Sequence, residues 1–434
     1  MFLHRRRRPV IGVIGALLGI SLIAAACSST PSSSNASGGG SGGTSKAPIY
    51  VAVVTALSGT LATYGEADLE GIQVGAQEIN AQGGLLGRKL VVVYKDDQST
   101  PSTAALAAQS LVNQYHPSFL FPGEYATSAE ADIPFATAEK IITIEPAPAF
   151  VDPSKYPYNF NIYFTPDEQA LLQAVSLKKV NAHKVAILNS DDTGSAAEAS
   201  AFLTLFPKLG FDIVAHEAFD PTDVDLSIPI QQAKQAGADT ILLQVPSAQF
   251  DEAATAVANL GWHNVNLMAG PTADNPQVIQ GIPASVVSQF RIASAQIYAR
   301  PSANALSPAI STFANDIKKF GTLTDIGIAG IGHDIIWDWA TAVKRAGTTN
   351  TAAVTNQLNS FYKDPVPAGT NITLPAPAWS STVHDMSTAN IQNSYALLQP
   401  SSVIDDTMVG KAYTLPTYTK QQLLNFFGPS YYSS

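Results

Sequence analysis

The chain has 434 residues, 46% of them hydrophobic and only 13% charged, with a formal net charge of −10. That length exceeds one ordinary core and points to two lobes, and the acidic balance argues against nucleic acid and anionic lipid as partners. Cys27 is the only cysteine, which excludes an intrachain disulfide.

Arg5 to Arg8 precede an apolar run that ends in Ala24 to Ala26, directly before Cys27. This is the layout of an export signal. Around the cysteine it looks like a bacterial lipobox, with Ala24 where that pattern usually has leucine; cleavage before Cys27 would leave it lipidated. An uncleaved anchor would need ~20 apolar residues, more than the run supplies. Residues 1–26 are therefore expected to be a lipoprotein signal peptide and 27–46 a Ser/Gly-rich tether, with no group able to bury apolar area. Residues 1–26 hold four arginines and no acid, so their removal takes the net charge to −14. No later apolar run approaches membrane-spanning length. The expected location is extracytoplasmic, on the outer face of the cell membrane.

The folded part begins with a strand at Ile49 to Ala56. A helix follows with Leu69, Ile72, Ala76 and Ile79 on one stripe, ended by Asn80 and the Gly83-Gly84 pair. A strand at Leu90 to Tyr94, a helix at Ser102 to Tyr115, a strand at Ser118 to Phe121, a helix at Thr127 to Lys140 and a strand at Ile141 to Ile144 continue the alternation. Short apolar strands alternating with amphipathic helices predict a parallel sheet covered on both faces. Thr165, Pro166 and Glu168 form a capping box that opens a second series, with strands in "KVAILN", "FDIVAHEAF", "DTILLQV" and "NVNLMAG". A long helix spans Asp325 to Ala346, with Lys344, Arg345 and Gly347 in favourable terminal positions. After Asn371 only short extended pieces are legible. Ligands of such sheets sit outside the carboxyl ends of the strands, so a pocket between facing lobes is expected.

Catalytic signatures are absent: there is no G-x-S-x-G elbow, phosphate loop or H-E-x-x-H, and the one thiol stands at the expected lipidation site. "GIAGIGHD", Gly327 to Asp334, lies in a helical pattern, where three glycines suit close helix packing. His333 and Asp334 are adjacent on that helix and are expected to point apart, in solvated or hydrogen-bonded surface roles. His384 and Asp385 suit a loop hydrogen bond. No enzyme activity, cofactor or metal is expected.

The segment "LSGTLATYGEADLEGIQVGAQEINAQGGLLGRKLVVVYKDDQSTP" resembles the start of the branched-chain amino-acid (Leu/Ile/Val) family of solute-binding proteins of ABC importers. The likeness continues through "LFPGEYATSAE", "SDDTGSA", "GHDIIWDWATAVKRAG" and "STVHDM", covering nearly all of Ile49 to Pro400. It implies a two-lobed α/β type I periplasmic-binding-protein fold, each lobe a mostly parallel sheet flanked by helices, with three hinge crossovers near Phe164, Ser294 and Trp379. Lobe 1 would hold 47–164 and 295–378, and lobe 2 165–294 and 379–434. The implied function is a lipid-anchored protein that captures a small amino-acid-like or other polar or amphipathic metabolite by lobe closure and delivers it to an ABC permease. A ligand-sensing receptor domain signalling to a membrane partner uses the same fold and is the alternative.

The resemblance also places the pocket. Tyr64 matches an aromatic wall, although a tyrosine there can equally serve ordinary packing. Thr127 and Ser128, at a helix start, match donors to a ligand carboxylate; a helix N-terminus offers free N–H groups and positive potential, and the same hydroxyls can serve as N-caps. Ser58, Tyr125, Ala147 and Gln244 complete the expected lining. At three positions the chain departs from the family: Thr193, before Gly194, stands for a tyrosine, Thr272 for the acid that pairs the ligand ammonium, and Ala149 for a hydroxyl. Asp274, Asp192 or Glu124 could substitute as the acid. Two threonines in place of a tyrosine and an acid predict a neutral second lobe, suited to an uncharged polar group rather than an ammonium.

Overall fold

The computed structural model describes residues 46–123, 126–295, 308–322, 325–386, 395–404, 407–415, 419, 421–422 and 425. The first series is β1 (Ile49–Thr55), α1 (Ala62–Ala81), β2 (Leu90–Asp96), α2 (Pro101–Tyr115), β3 (Phe119–Pro122), α3 (Ala126–Ala138), β4 (Ile142–Glu145) and β5 (Asn159–Asn161). Its strands form one parallel sheet in the order β2-β1-β3-β4-β5. The turn between α1 and β2 shows how sequence sets that order. Gly83 and Gly84 adopt φ of 97° and 79°, a region open to glycine without steric cost. The Asn80 amide then both donates to and accepts from the Leu90 backbone at 2.8 Å, so the residue that ends the helix also seats the strand.

The second series is α4 (Pro166–Lys179), β6 (Lys184–Ser190), α5 (Thr193–Leu205), β7 (Asp212–Phe219), α6 (Ser227–Gln235), β8 (Thr240–Gln244), α7 (Ser247–Asn259), β9 (Asn266–Ala269), α8 (Pro276–Gly281) and β10 (Phe290–Ala295). The Thr165–Glu168 capping box starts α4 with Pro166 in its first turn. Strands β7, β6, β8, β9 and β10 lie side by side and parallel. The chain then supplies α9 (Pro308–Ile317), α10 (Ile326–Ala346) and α11 (Thr351–Leu358), and closes with β11 (Tyr395–Ile404) and β12 (Thr407–Thr414), an antiparallel hairpin on the β10 edge of the second sheet. This is a two-lobed α/β fold. No helix among the described residues is long and apolar enough to cross a membrane.

Helices α1 and α10 pack against each other at backbone distance. A Cβ on Gly71 would stand 1.8 Å from the Ala329 carbonyl oxygen, and one on Gly332 would stand 2.5 Å from that of Asp68. The glycines of "GIAGIGHD" thus serve close helix packing, as their place in a helical pattern implied.

The expected surface role of His333 and Asp334 is corrected. Both are buried, and instead of pointing apart they touch: His333 Nδ1 lies 3.1 Å from Asp334 Oδ1 and its Nε2 lies 2.9 Å from Glu78 Oε2. Burial works against the charged ring, yet the bonds to Asp334 and Glu78 carry its pKa up to about 9. Asp334 also accepts the backbone N–H groups of Ile372, Thr373 and Leu374 at 2.6, 2.9 and 3.0 Å. These bonds tie down a stretch without regular structure. Further along it, Trp379 Nε1 donates to the Asn161 carbonyl at 2.9 Å. His384 contacts the Asn159 carbonyl at 2.6 Å and the Asn359 side chain at 2.9 Å while stacking on Phe160. Asp385 accepts the Val151 N–H at 3.0 Å. The segment from Trp379 to Asp385 therefore packs with β5 and the first sheet.

Candidate ligand-binding cleft

The carboxyl ends of both sheets converge on one cleft, which the lobes close over. Tyr64, fully buried on α1, donates through its hydroxyl to the Thr272 carbonyl in the loop after β9 at 3.2 Å. Beside this bond lies a small cavity open to solvent at its mouth. From the first lobe come Asp68 on α1, Pro146 and Pro148 after β4, and Ile328 and Ile331 on α10. From the second come Gly194, Ser195 and Glu198 on α5, Gln244 at the end of β8, and Thr272. Tyr163, Ile328 and Ile331 also line a second small cavity, with Asp274, Ser294, Asp325 and Thr373.

The ionisable acids among the described lining residues are Asp68, Glu198, Asp274 and Asp325, and no Lys, Arg or His is among them. Glu198 is 2% exposed; burial, with the nearby Asp192 charge, holds its carboxyl well above the usual range. Asp274 is pushed up to about 8 by burial and by the Asp325 charge, against the pull of the Ser294 hydroxyl that donates to it. Asp325 is raised to about 7 by burial, while the N–H groups of Gly327 and Ile328, which it caps at 2.8 and 3.0 Å, draw it down. Among the described residues, the buried oxygens Gln244 Oε1, Thr272 Oγ1, Asp325 Oδ2 and Thr373 Oγ1, all of lining residues, have no hydrogen-bond partner. Leaving such groups unpaired costs about 1–3 kcal/mol each.

The expected pocket residues divide accordingly. Tyr64, Gln244, Thr272 and Asp274 meet at the cleft. Ala147 sits between the two lining prolines; its carbonyl and that of Ala149 accept from the Asn161 amide at 2.9 and 2.8 Å. Thr193 is exposed, while its neighbours Gly194 and Ser195 line the cavity. The other hydroxyls are committed locally: Ser58 donates to Asp96 at 2.6 Å and buried Ser128 donates to Asp97 at 2.9 Å. Asp192 caps α5 through the Ser195 N–H at 3.0 Å. Cys27, Glu124 and Tyr125 lie outside the described residues, as does the Thr127 side chain.

The second lobe brings two carboxyls, Glu198 and Asp274, to the cavity walls beside Thr272, and burial raises both, so they add acid groups to that lobe without fixing its charge. Sequence reasoning also missed Asp68, Tyr163 and Asp325. Helical spacing held the signal for two of these acids: Asp68 follows Tyr64 by four residues on α1, and Glu198 follows Gly194 by four on α5.

Comparison with known proteins places this geometry. The sequence profile of a family described as periplasmic binding protein matches residues 48–396. A Leu/Ile/Val/Thr-binding protein of Salmonella typhimurium is 26% identical over 196 residues, which is 44% of this chain and 53% of the relative. The chain thus spans about half the length of the curated relatives it matches. Among solved structures, a type 1 periplasmic binding protein from Bordetella pertussis Tohama I superposes with a TM-score of 0.72 at 17% identity, covering 84% of this chain and all of that one. A solute-binding protein of an ABC transporter from R. palustris, in complex with 4-hydroxybenzoate, superposes with a TM-score of 0.70 at 18% identity, covering 85% and 97% of the two chains.

Proposed function

Because the chain belongs to the periplasmic binding protein family, we propose that it is an extracytoplasmic, lipid-anchored solute-binding protein that captures a small polar or amphipathic metabolite between its lobes and delivers it to an ABC permease. The observation that carries this reading is the cavity beside the Tyr64–Thr272 bond, lined from both lobes and by residues such as Gln244 and Thr272 whose buried oxygens have no partner among the described residues. Polar groups withdrawn from water in this way are satisfied when a ligand supplies the missing donors. We take the first lobe as 47–164 and 295–378 and the second as 165–294 and 379–434; the packing of Trp379 and His384 on β5 argues for moving the last boundary toward Met386. Tyr64, Gln244, Thr272 and Asp274 are the sequence-derived residues we assign to the ligand, joined by Asp68, Tyr163 and Glu198. Residues 1–26 are taken as a signal peptide and Cys27 as the lipid attachment.

A thermal-shift screen of metabolites tests the reading. A ligand at 100 times its dissociation constant stabilises by about 2.7 kcal/mol. A reproducible shift that is lost in Gln244→Ala supports capture in the cleft, and a shift indifferent to every cleft substitution argues against it.

A further inference from the structure

Tyr64 and Thr272 stand on opposite sides of the cleft, one in the first turn of α1 and the other in the loop after β9, and each is mounted firmly in its own lobe. On the first side, α1 begins hard against the end of β1. A Cβ on Gly65 would stand 2.0 Å from the Ala56 carbonyl oxygen, and the Thr55 hydroxyl donates to the Gly65 carbonyl at 3.3 Å. The loop leading into α1 is also pinned from the end of β2. Asp96 accepts the Leu57 N–H at 2.9 Å and the Ser58 hydroxyl at 2.6 Å. Ser99 Oγ accepts the Leu61 N–H at 3.1 Å and donates to the Ser58 carbonyl at 2.9 Å. Gln98 and Ser99 both adopt φ of 56° to reach these positions, a conformation unfavourable for non-glycine residues that persists where the surroundings over-determine it.

On the second side, the Thr272 carbonyl also accepts from the Asn275 amide at 3.3 Å, and Asn275 Oδ1 caps α8 through the Val278 N–H at 2.9 Å. Donor and acceptor are thus held in place independently of each other. Tyr64 is 1% exposed, so the bond across the cleft lies out of water and joins protein groups alone. When the lobes part, water serves both groups instead. Loss of the phenol hydroxyl orphans nothing on the second lobe, because Asn275 still donates to the Thr272 carbonyl. The hydroxyl therefore contributes the net worth of one hydrogen bond, roughly fivefold in the ratio of closed to open forms.

Resting on the solute-capture reading above, we propose that the Tyr64 hydroxyl is a latch that holds the lobes together through the backbone of the second lobe rather than through a solute. It sets how often the closed form, with its two-sided cavity, is present. Apparent affinity scales with the populated fraction of the binding-competent form. Where that form is the minor one, the latch tightens every solute by the same factor and selects among none.

Electron–electron distance measurements between spin labels at exposed Gln77 and exposed Thr193, in a Cys27→Ser background with no solute added, read the ratio of closed to open forms. With Tyr64 in place a short-distance population should be present, and Tyr64→Phe should cut its ratio to the longer distances roughly fivefold. Tyr64→Leu, a second side chain without the hydroxyl, should shift the distribution in the same direction. Phenylalanine keeps the buried ring, and melting of each labelled variant reports whether it folds. A distribution unchanged by either substitution overturns the latch, as does a shift to shorter distances. The lack of any short-distance population with Tyr64 in place overturns it too. None of these outcomes bears on solute capture, which the metabolite screen decides separately.

Discussion

Gly71→Ala tests the packing that shapes the cleft, because two general effects predict opposite signs for it. In a helix interior, replacing glycine by alanine ordinarily stabilises by about 1 kcal/mol. Here the new Cβ would stand 1.8 Å from the Ala329 carbonyl oxygen, where ordinary contact begins at 3.4 Å, so α1 and α10 must part by about 1.6 Å. The obstructing atoms are backbone, and no rotamer change relieves them. Helix α10 cannot simply retreat, since Ile335, Ile336, Trp339 and Ala340 are fully buried on it. Overpacking of this kind costs typically 1–3 kcal/mol, and the upper end applies against backbone. For a chain of this size that lowers Tm by on the order of 5 °C. Ile328 and Ile331 should move with α10, so stabilisation by any cleft ligand should weaken too. Melting of Gly71→Ala beside Gln77→Ala, an exposed change on the same helix, reads the effect. Gly71→Ala melting at or above wild type refutes the reasoning.

The pH dependence of stability follows from the buried acids. Asp132, Glu145 and Asp274 are raised to about 8, and Glu70 and Asp325 to about 7, in each case chiefly by burial. Carboxyls that stay protonated in the fold but ionise when unfolded contribute stability that is full below their unfolded pKa values and is lost as pH rises through the folded ones. His333, raised to about 9, acts in the same direction at higher pH; buried His384, lowered to about 4, weakens the fold as pH falls from about 6.5. The empty protein should therefore melt higher near pH 5.5 than at pH 8, and a scan with the opposite order contradicts the burial of these groups. Asp334→Ala removes the acceptor of three backbone N–H groups; at about 1.5–3 kcal/mol per bond to a charged group, limited proteolysis should cut 359–386 much faster, and an unchanged digest would count against that anchoring role. Cys27→Ser should release the protein from membranes after signal cleavage; continued membrane association would disprove Cys27 as the sole attachment.

Much of the scaffold is legible because its determinants are local. The Asn80–Gly84 turn, the Thr165 capping box and the Asp325 and Gly347 ends of α10 are decided by neighbouring residues, and each forms as its residue types imply. The β11–β12 hairpin was not legible: Pro400 and a register shift between Pro400 and Ser402 break the alternation that marks a strand. The stretch after Asn359 owes its path to Asp334, His384 and Trp379, contacts no local pattern reports. The cleft was half legible for the same reason. Tyr64, Gln244, Thr272 and Asp274 stand at strand ends or beside a loop, where ligands of α/β sheets bind. Asp68 and Glu198 lie inside helices, where an acid ordinarily faces solvent; only lobe apposition turns these two onto one cavity.

The central claim is capture of a solute by lobe closure, and an inter-lobe distance tests it most directly. The chain has a single cysteine, so a Cys27→Ser background accepts one spin label on each lobe, at exposed Gln77 and exposed Thr193. With a compound that raises Tm, the account predicts that a broad distance distribution in the empty protein collapses to one short distance. An identical distribution with and without that compound at saturation would contradict it.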